Sequence, residues 1–432
     1  MDTIYSSASS APKSAIKIIR ISGPESKNIS SIFFFKPTKP RLATLRSLLD
    51  SSQNIIDKAI IIFFPGPSTS TGEDIIEIHF HGSIIIERKI LNVLANQKKF
   101  RLAEPGEYTK RAFLNGLLDL TQAEGLNDLI NSETNSQFNL AMSQFQGKLY
   151  EKITSWRGEI IFLLSKLEAL IDFSDEELSN DVEKIFFNRL KFLINDLKIS
   201  IESKPYAERI ISGFVVTLIG KTNVGKSSLI NFLTKRNYSI VTNEPGTTRD
   251  ILEVSLDLKG YPVIFNDTAG IRYTKSLVEQ IGIKKALERA ESSDLILILS
   301  DNDKFDFPEL SSKAKKILVH TKSDLGKLDR KDIHEISVKD GVGILELIDK
   351  MVTHFHSLKP KENVLLTKQR HVQAVNKTLE ALLRISNVDL NLYPELVAEE
   401  LRVAATAIGS ITNVVDVDEI LDDIFSSFCI GK

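Results

Sequence analysis

The stretch FVVTLIGKTNVGKSSLINFL, residues 214–233, decides how the rest of the chain is read. An apolar run ends at Gly220, a short loop carries Gly220-Lys221-Thr222-Asn223-Val224-Gly225-Lys226-Ser227, and a helix-forming run follows. This is G-x-x-x-x-G-K-[ST] in the strand–loop–helix setting that gives it meaning. The glycines let the backbone curl so that its N–H groups converge on an anion, and the helix N-terminus adds partial positive charge. Lys226 can reach the β- and γ-phosphates of a nucleotide, the Ser227 hydroxyl can ligate Mg²⁺, and Ser228 continues the first helical turn beside them.

Three further segments follow in order. GTTRD (246–250) offers Thr248 as a second hydroxyl for Mg²⁺. VIFNDTAG (263–270) ends a predicted strand in Asp267, suited to a Mg²⁺-bound water, then Thr268, Ala269 and Gly270, whose backbone N–H can meet a γ-phosphate. KKILVHTKSDL (315–325) ends another strand in Thr321-Lys322-Ser323-Asp324. A carboxylate at Asp324 accepts two hydrogen bonds from the guanine edge, and adenine, lacking that donor pair, would leave an acceptor unsatisfied. Ser337-Val338-Lys339 in ISVKDGVGI (336–344) can present backbone N–H groups to the base. The usual guanine motif opens with asparagine. Thr321 is shorter and has no amide, so weaker nucleotide binding with specificity retained through Asp324 is expected.

Outward from this core, the 432 residues allow about three domains. Hydrophobic content of 42%, charged content of 26% and a net charge of −2 are those of an ordinary globular protein. Any nucleic acid must meet a local basic patch, for which Lys359, Lys361, Lys368 and Arg370 are candidates beside the reading of a solvated face. No apolar run is long enough to cross a membrane. The start lacks the features of a secretory signal, and a single cysteine, Cys429, suits a reducing cytoplasm.

Residues 1–117 read as mixed α/β, with strand-like SAIKIIRISG (14–23) and AIIIFFPGP (59–67). EDIIEIHFHG (73–82) alternates, placing Glu77, His79 and His81 on one face. Those three admit a metal reading; exposed strand residues are the plainer one. Residues 118–212 read as helical, with 123–173 as one long amphipathic helix; 213–356 as a parallel-sheet α/β domain; and 357–432 as helical again after the linker SLKPKEN (357–363). The expected architecture is multidomain: an N-terminal α/β domain, then an all-α domain interrupted by an inserted Ras-like P-loop domain.

The chain resembles the MnmE (TrmE) family of bacterial tRNA modification GTPases over nearly its whole length. The resemblance rests on IIRISG, TGEDIIEIHFHG, EPGEYTKRAFLNG, DFSDEE, the inserted nucleotide motifs and the ending FSSFCIGK (425–432). It bears on a puzzle in the loop after Asp267. Ras-type enzymes follow this loop with a glutamine that orients water, and here that residue is Ile271. The resemblance implies that Glu279 acts on the water instead; on the residues alone, a solvated switch-helix carboxylate is the plainer reading. It implies K⁺ bound by Asn223, Thr247 and the carbonyls of Thr242 and Glu244; Asn223 alone reads more readily as a cap or brace of its loop. It implies folate contacts at Arg20, Glu77 and Lys432, with Leu117 standing where the family usually has lysine. It places Cys429 at the modification site, the alternative being a small buried hydrophobe.

The implied activity is potassium-dependent GTP hydrolysis. With an FAD-dependent MnmG partner it modifies the wobble uridine of certain tRNAs with an aminomethyl or carboxymethylaminomethyl group. A tetrahydrofolate derivative donates the one-carbon unit, and the implied assembly is a homodimer through the N-terminal domain with paired G domains. One other class fits the nucleotide motifs, a regulatory RNA-binding or ribosome-assembly switch GTPase without group transfer; a third, an interaction scaffold that has lost activity, is suggested by Thr321 and Leu117 and opposed by the intact Lys226, Ser227, Thr248 and Asp267.

Overall fold

The computed structural model describes residues 2–9, 11, 13–172, 180–221, 223–235, 253–267, 291–305, 314–328, 330–360, 365–386, 388–390, 392–412, 425, 428 and 431. The chain divides into two compact units, one of Met1–Asn127 with Gln144–Ile153 and Gly409–Lys432, the other of Asp128–Ser143 with Thr154–Ile408. Segments from 120–127, 144–153 and 409–432 thus group with the amino-terminal sheet.

In the first unit, strands β1 (Thr3–Ser7), β2 (Ile16–Ser22), β3 (Thr44–Leu49), β4 (Ile55–Phe64), β5 (Ile75–His81) and β6 (Phe100–Leu102) form a sheet in the order β3-β4-β5-β2-β1-β6. All pairings are antiparallel except β1 with β6. The period-2 pattern sends Ile19, Ile61 and Ile78 into the core with Phe33, Ile90 and Leu94. Each such side chain contributes about 1.5–3 kcal/mol on burial. The same alternation turns Arg20 and Glu77, register partners across β2 and β5, to the opposite face. Helix Ile84–Ala95 covers the core side, its start capped by Ser83 Oγ accepting from Ile85 N–H at 3.3 Å. The buried Lys17 ammonium ties the sheet to this helix through Glu87 at 2.7 Å.

Glu73, Glu107 and Arg111, from the two long amino-terminal motifs, form a largely buried ion network. Arg111 donates to both Glu73 oxygens at 2.9 and 3.0 Å, to Glu107 Oε1 at 3.0 Å and to Asp2 Oδ1 at 3.0 Å. These motif residues are therefore frame: each charge has partners, and removing one would strand the others. Gly106 starts helix Glu107–Leu114 at φ +66°, and a Cβ there would lie 2.5 Å from the Phe425 carbonyl oxygen. Phe425 and Phe428 pack with Leu120, Ala123 and Phe113. Gly431, at φ +102°, sits where a Cβ would overlap the carbonyl oxygen of Ser7 on β1. Phe428 is thus packed on the helices of this unit and Gly431 against its sheet; Cys429, between them in sequence, lies outside the described residues.

The helical stretch differs from one long helix over 123–173. It runs as Leu120–Ile130, Asn135–Phe145 and Lys148–Asp172. The first break is a capping box: Gln137 N–H donates to Thr134 Oγ1 at 3.4 Å, and Thr134 N–H donates to Gln137 Oε1 at 3.1 Å. The second is Gly147, at φ +85°. Apolar spacing runs on across both breaks, so only the local cap chemistry reveals them.

In the second unit, β7 (Phe214–Ile219), β8 (Glu253–Leu258), β9 (Tyr261–Asp267), β10 (Leu295–Ser300), β11 (Lys315–His320) and β12 (Ile333–Glu335) form a sheet in the order β12-β11-β10-β7-β9-β8. Every pairing is parallel except β8 with β9. Helices Lys226–Leu233 and Ile344–Ser357 bury Leu229, Leu233, Leu347 and Phe355 against it, Phe355 stacking on Phe214 at 4.4 Å. Parallel strands bring the carboxyl ends of β7, β9, β10 and β11 to one edge, where the loops of such sheets bind ligands.

Candidate functional site

At that edge the phosphate loop takes the conformation its residues demand. Asn223 has φ +62° and Gly225 φ +101°, and helix Lys226–Leu233 begins directly after Gly225. Asparagine tolerates the left-handed region, and glycine enters it without cost. Gly220 has no room for a side chain: a Cβ would lie 2.5 Å from the Leu299 carbonyl oxygen. Val224 is buried beneath the loop, while Asn223, Ser227 and Ser228 are exposed. The Lys226 ammonium is 2.6 Å from the Gly220 carbonyl oxygen and 3.0 Å from that of Lys221, so the loop holds its own cation over the cradle. On β9, Asp267 is register partner to Leu218 of β7, next to the strand residue that leads into the loop.

The base loop leaves β11. Thr321 is buried and its hydroxyl donates to the Val224 carbonyl oxygen at 2.7 Å. Its reach is therefore sufficient to tie the base loop to the phosphate loop. Lys322, at φ +57°, pairs with Asp301 at 2.8 Å. That hydrogen bond and charge hold the Asp301 carboxyl below its usual range. Asp324 is exposed and accepts from the Ser337 hydroxyl at 2.9 Å. Ser337 is fixed in turn by a reciprocal backbone pair with Val342 at 3.0 and 3.1 Å. Val338 packs against the core and Lys339 points to solvent. Phosphate loop, Thr321, Asp324 and Ser337 thus form a connected set. Asp301 and Ser300 belong to it and were missed by sequence reasoning; the chain carries them as an unremarkable SD after an apolar run.

Thr242, Glu244, Thr247, Thr248, Thr268, Ala269, Gly270, Ile271, Glu279, Cys429 and Lys432 lie outside the described residues, as does the side chain of Asp267.

On the amino-terminal sheet, Arg20 donates to Glu77 Oε1 through Nε at 3.0 Å and Nη2 at 2.9 Å, and His79 Nε2 lies 3.1 Å from Glu77 Oε2. Burial pushes the Glu77 carboxyl up, but the His79 hydrogen bond and the Arg20 charge outweigh it and leave it below the ordinary glutamate range. The Arg20 guanidinium lies 5.8 Å from the centre of the Tyr108 ring, and the Tyr108 hydroxyl donates to the Arg20 carbonyl oxygen at 2.7 Å. His81 turns instead to Asp57 at 2.9 Å. Among the described residues no group of three His, Cys, Asp or Glu side chains is placed to hold a metal. The trio on β5 is served by a guanidinium and a neighbouring carboxylate. Leu117 is 43% exposed. Of the basic residues near the second linker, Lys368 is engaged with Asp128 at 2.7 Å and Arg370 also has a partner, whereas Lys359 is exposed. Lys361 lies outside the described residues.

A glycine loop between a buried parallel strand and a helix, with a lysine caged by its carbonyls and a carboxylate-bearing TKSD loop tied to it, defines a P-loop GTPase. The matches agree across the chain. Residues 3–117 match the family described as the GTP-binding protein TrmE N-terminus, and residues 120–429 match the MnmE helical domain. The chain is 41% identical to the tRNA modification GTPase MnmE of Bradyrhizobium sp. (strain ORS 278), over 100% of this chain and 99% of that one. It is 40% identical to that of Anaplasma phagocytophilum (strain HZ), again over 100% and 99%. The chain belongs to the MnmE (TrmE) family of tRNA modification GTPases. Among solved structures, the G domain of the T. maritima FeoB iron transporter is similar at 30% identity over 33% of this chain and 98% of that one, with a TM-score of 0.26. An Aquifex aeolicus Era bound to GDP·AlF4⁻ is similar at 22% identity over 39% and 66%, with a TM-score of 0.27.

Proposed function

We propose that the protein binds GTP in the phosphate loop, hydrolyses it, and couples that cycle to modification of the wobble uridine of certain tRNAs. The observation that carries this reading is the glycine loop between β7 and its helix, with Lys226 donating to the Gly220 and Lys221 carbonyls, in a chain that aligns end to end with MnmE proteins. The loop N–H groups and the Lys226 ammonium bind the phosphates and hold the γ-phosphoryl in line. Asp324, oriented by Ser337, selects guanine. Glu279 orients the attacking water.

Ser227 and Thr248 would hold Mg²⁺, with Asp267 on its water. Asn223, Thr247 and the carbonyls of Thr242 and Glu244 would hold K⁺. The described donors suit hard cations: the Ser227 hydroxyl in the first helical turn and the Asn223 amide are both exposed oxygen donors beside the cradle. When bound, these ions supply fixed positive charge where negative charge grows in the transition state.

The group-transfer half is placed on the amino-terminal unit. Glu77, kept ionised, suits the donor edge of a pterin, and Arg20 suits a glutamate carboxylate of a tetrahydrofolate derivative. Gly431, in the same terminal motif as Cys429 and Lys432, packs against Ser7 of this sheet; Cys429 is assigned to the modification site and Lys432 to the folate contact. The exposed cross-strand pair Leu45 and Ile60 on β3 and β4 suits homodimer contact through this domain, with paired G domains as its second contact. The partner is an FAD-dependent protein of the MnmG type and the location cytoplasmic; among the described residues no helix is long and apolar enough to cross a membrane.

Phosphate release measured in K⁺ and in Na⁺, with and without that flavoprotein, tests the reading. Hydrolysis is expected to slow when Na⁺ replaces K⁺, and equal rates would remove the ion from the account. Loss of the modified wobble uridine on deletion of the gene, measured by nucleoside analysis, separates this function from a switch GTPase without group transfer.

A further inference from the structure

Thr321 is only 1% exposed, and its hydroxyl sits 2.7 Å from the Val224 carbonyl oxygen and 3.3 Å from that of Ser300. A hydroxyl has one hydrogen, and neither carbonyl can donate, so that hydrogen is committed within the protein. The Thr321 backbone N–H is also spent, on the Ser300 carbonyl oxygen at 2.8 Å. An asparagine here would bring an amide with two N–H donors, one to brace the phosphate loop and one left for the imidazole edge of a purine. Threonine does the first task and has nothing left for the second. Asp324 is acceptor-only when ionised, so it can address only the N1–H and 2-amino donors of guanine. The Ser337 hydroxyl has its one hydrogen directed at carboxylates, Asp324 at 2.9 Å or Asp340 at 3.2 Å.

The geometry points to a guanine site that reads the Watson–Crick edge through Asp324 and takes no hydrogen bond from residue 321 at N7, with Thr321 a positioning residue that locks the base loop to the phosphate loop. This rests on the nucleotide site proposed above and adds to it a substrate tolerance: guanine nucleotides in which N7 is replaced by C–H should be accepted as well as the natural ones.

Competition calorimetry of the full-length protein with GDP and 7-deaza-GDP tests this. The wild-type protein is expected to bind the two within about twofold of each other. Thr321→Asn is expected to create a preference for GDP of about two- to tenfold, the worth of one ordinary hydrogen bond. Thr321→Val should weaken both nucleotides alike, and Thr321→Ser should recover most of that loss, with melting temperatures separating binding from folding. A wild-type preference for GDP of about fivefold or more, the size of a made hydrogen bond, would overturn the N7 inference. Unchanged affinity in Thr321→Val would overturn the positioning role. Failure of the wild-type protein to bind GDP at all would overturn the underlying site instead.

Discussion

GTP turnover by the Glu279→Ala protein is expected to fall by roughly 10²–10³, the loss typical of one preorganised catalytic group, while GTP and GDP bind as before. The reasoning begins with Ile271, which occupies the place where a glutamine would orient water and has no polar atom to do so. Some other group must bring a lone pair to that water, and Glu279 is the carboxylate the family resemblance supplies. An effect confined to turnover is the signature of an interaction realised in the transition state, whereas a binding role would raise KM and spare kcat. Single-turnover hydrolysis with nucleotide prebound reads this directly. Wild-type turnover in the variant would return Glu279 to the solvated carboxylate that its sequence context also allows.

The second large effect falls on specificity. Asp324→Asn is expected to weaken GTP and GDP binding by roughly a hundredfold or more, since two hydrogen bonds to a charged acceptor are lost or reversed. The same variant should bind xanthosine nucleotides better than the wild-type protein does. Xanthine carries an oxygen where guanine carries its amino group, and an asparagine amide can donate to that oxygen. The partner groups stay in place, because Ser337 is held by Val342 and Thr321 by Val224, neither through Asp324. Competition binding of guanosine and xanthosine diphosphates measures both changes. Unaltered preference for guanine would mean that the base is read elsewhere.

How far each conclusion was legible depends on the range of the forces behind it. The nucleotide half was legible because its geometry is local. Gly220, Gly225, Lys226 and Ser227 lie within eight residues of one another, and each has a backbone or anion-binding reason to be the residue it is. The alternation of β5 likewise announced which face Glu77 takes. Less legible was whatever depends on contacts distant along the chain. Thr321 looks like a weakened asparagine until Val224 is found within reach, 97 residues away. Asp301 gains a role only when parallel pairing of β10 and β11 brings it to Lys322. Glu73, Glu107 and Arg111 sit in motifs that invite a functional reading, yet their charges are consumed by one another. The helix breaks before Asn135 and at Gly147 were hidden for the opposite reason: hydrophobic spacing persists across them, and a single capping pair and a single left-handed glycine outweigh it.

Calorimetric titration of the purified protein with GDP, in Mg²⁺ and potassium, beside the Lys226→Ala variant, bears most directly on the claim that the loop at residues 220–227 is a guanine nucleotide site. A saturable transition is expected for the wild-type protein, with affinity lowered about tenfold or more in the variant, the worth of a charge-assisted hydrogen bond. The absence of binding heat in the wild type, or equal binding by both proteins, would contradict it.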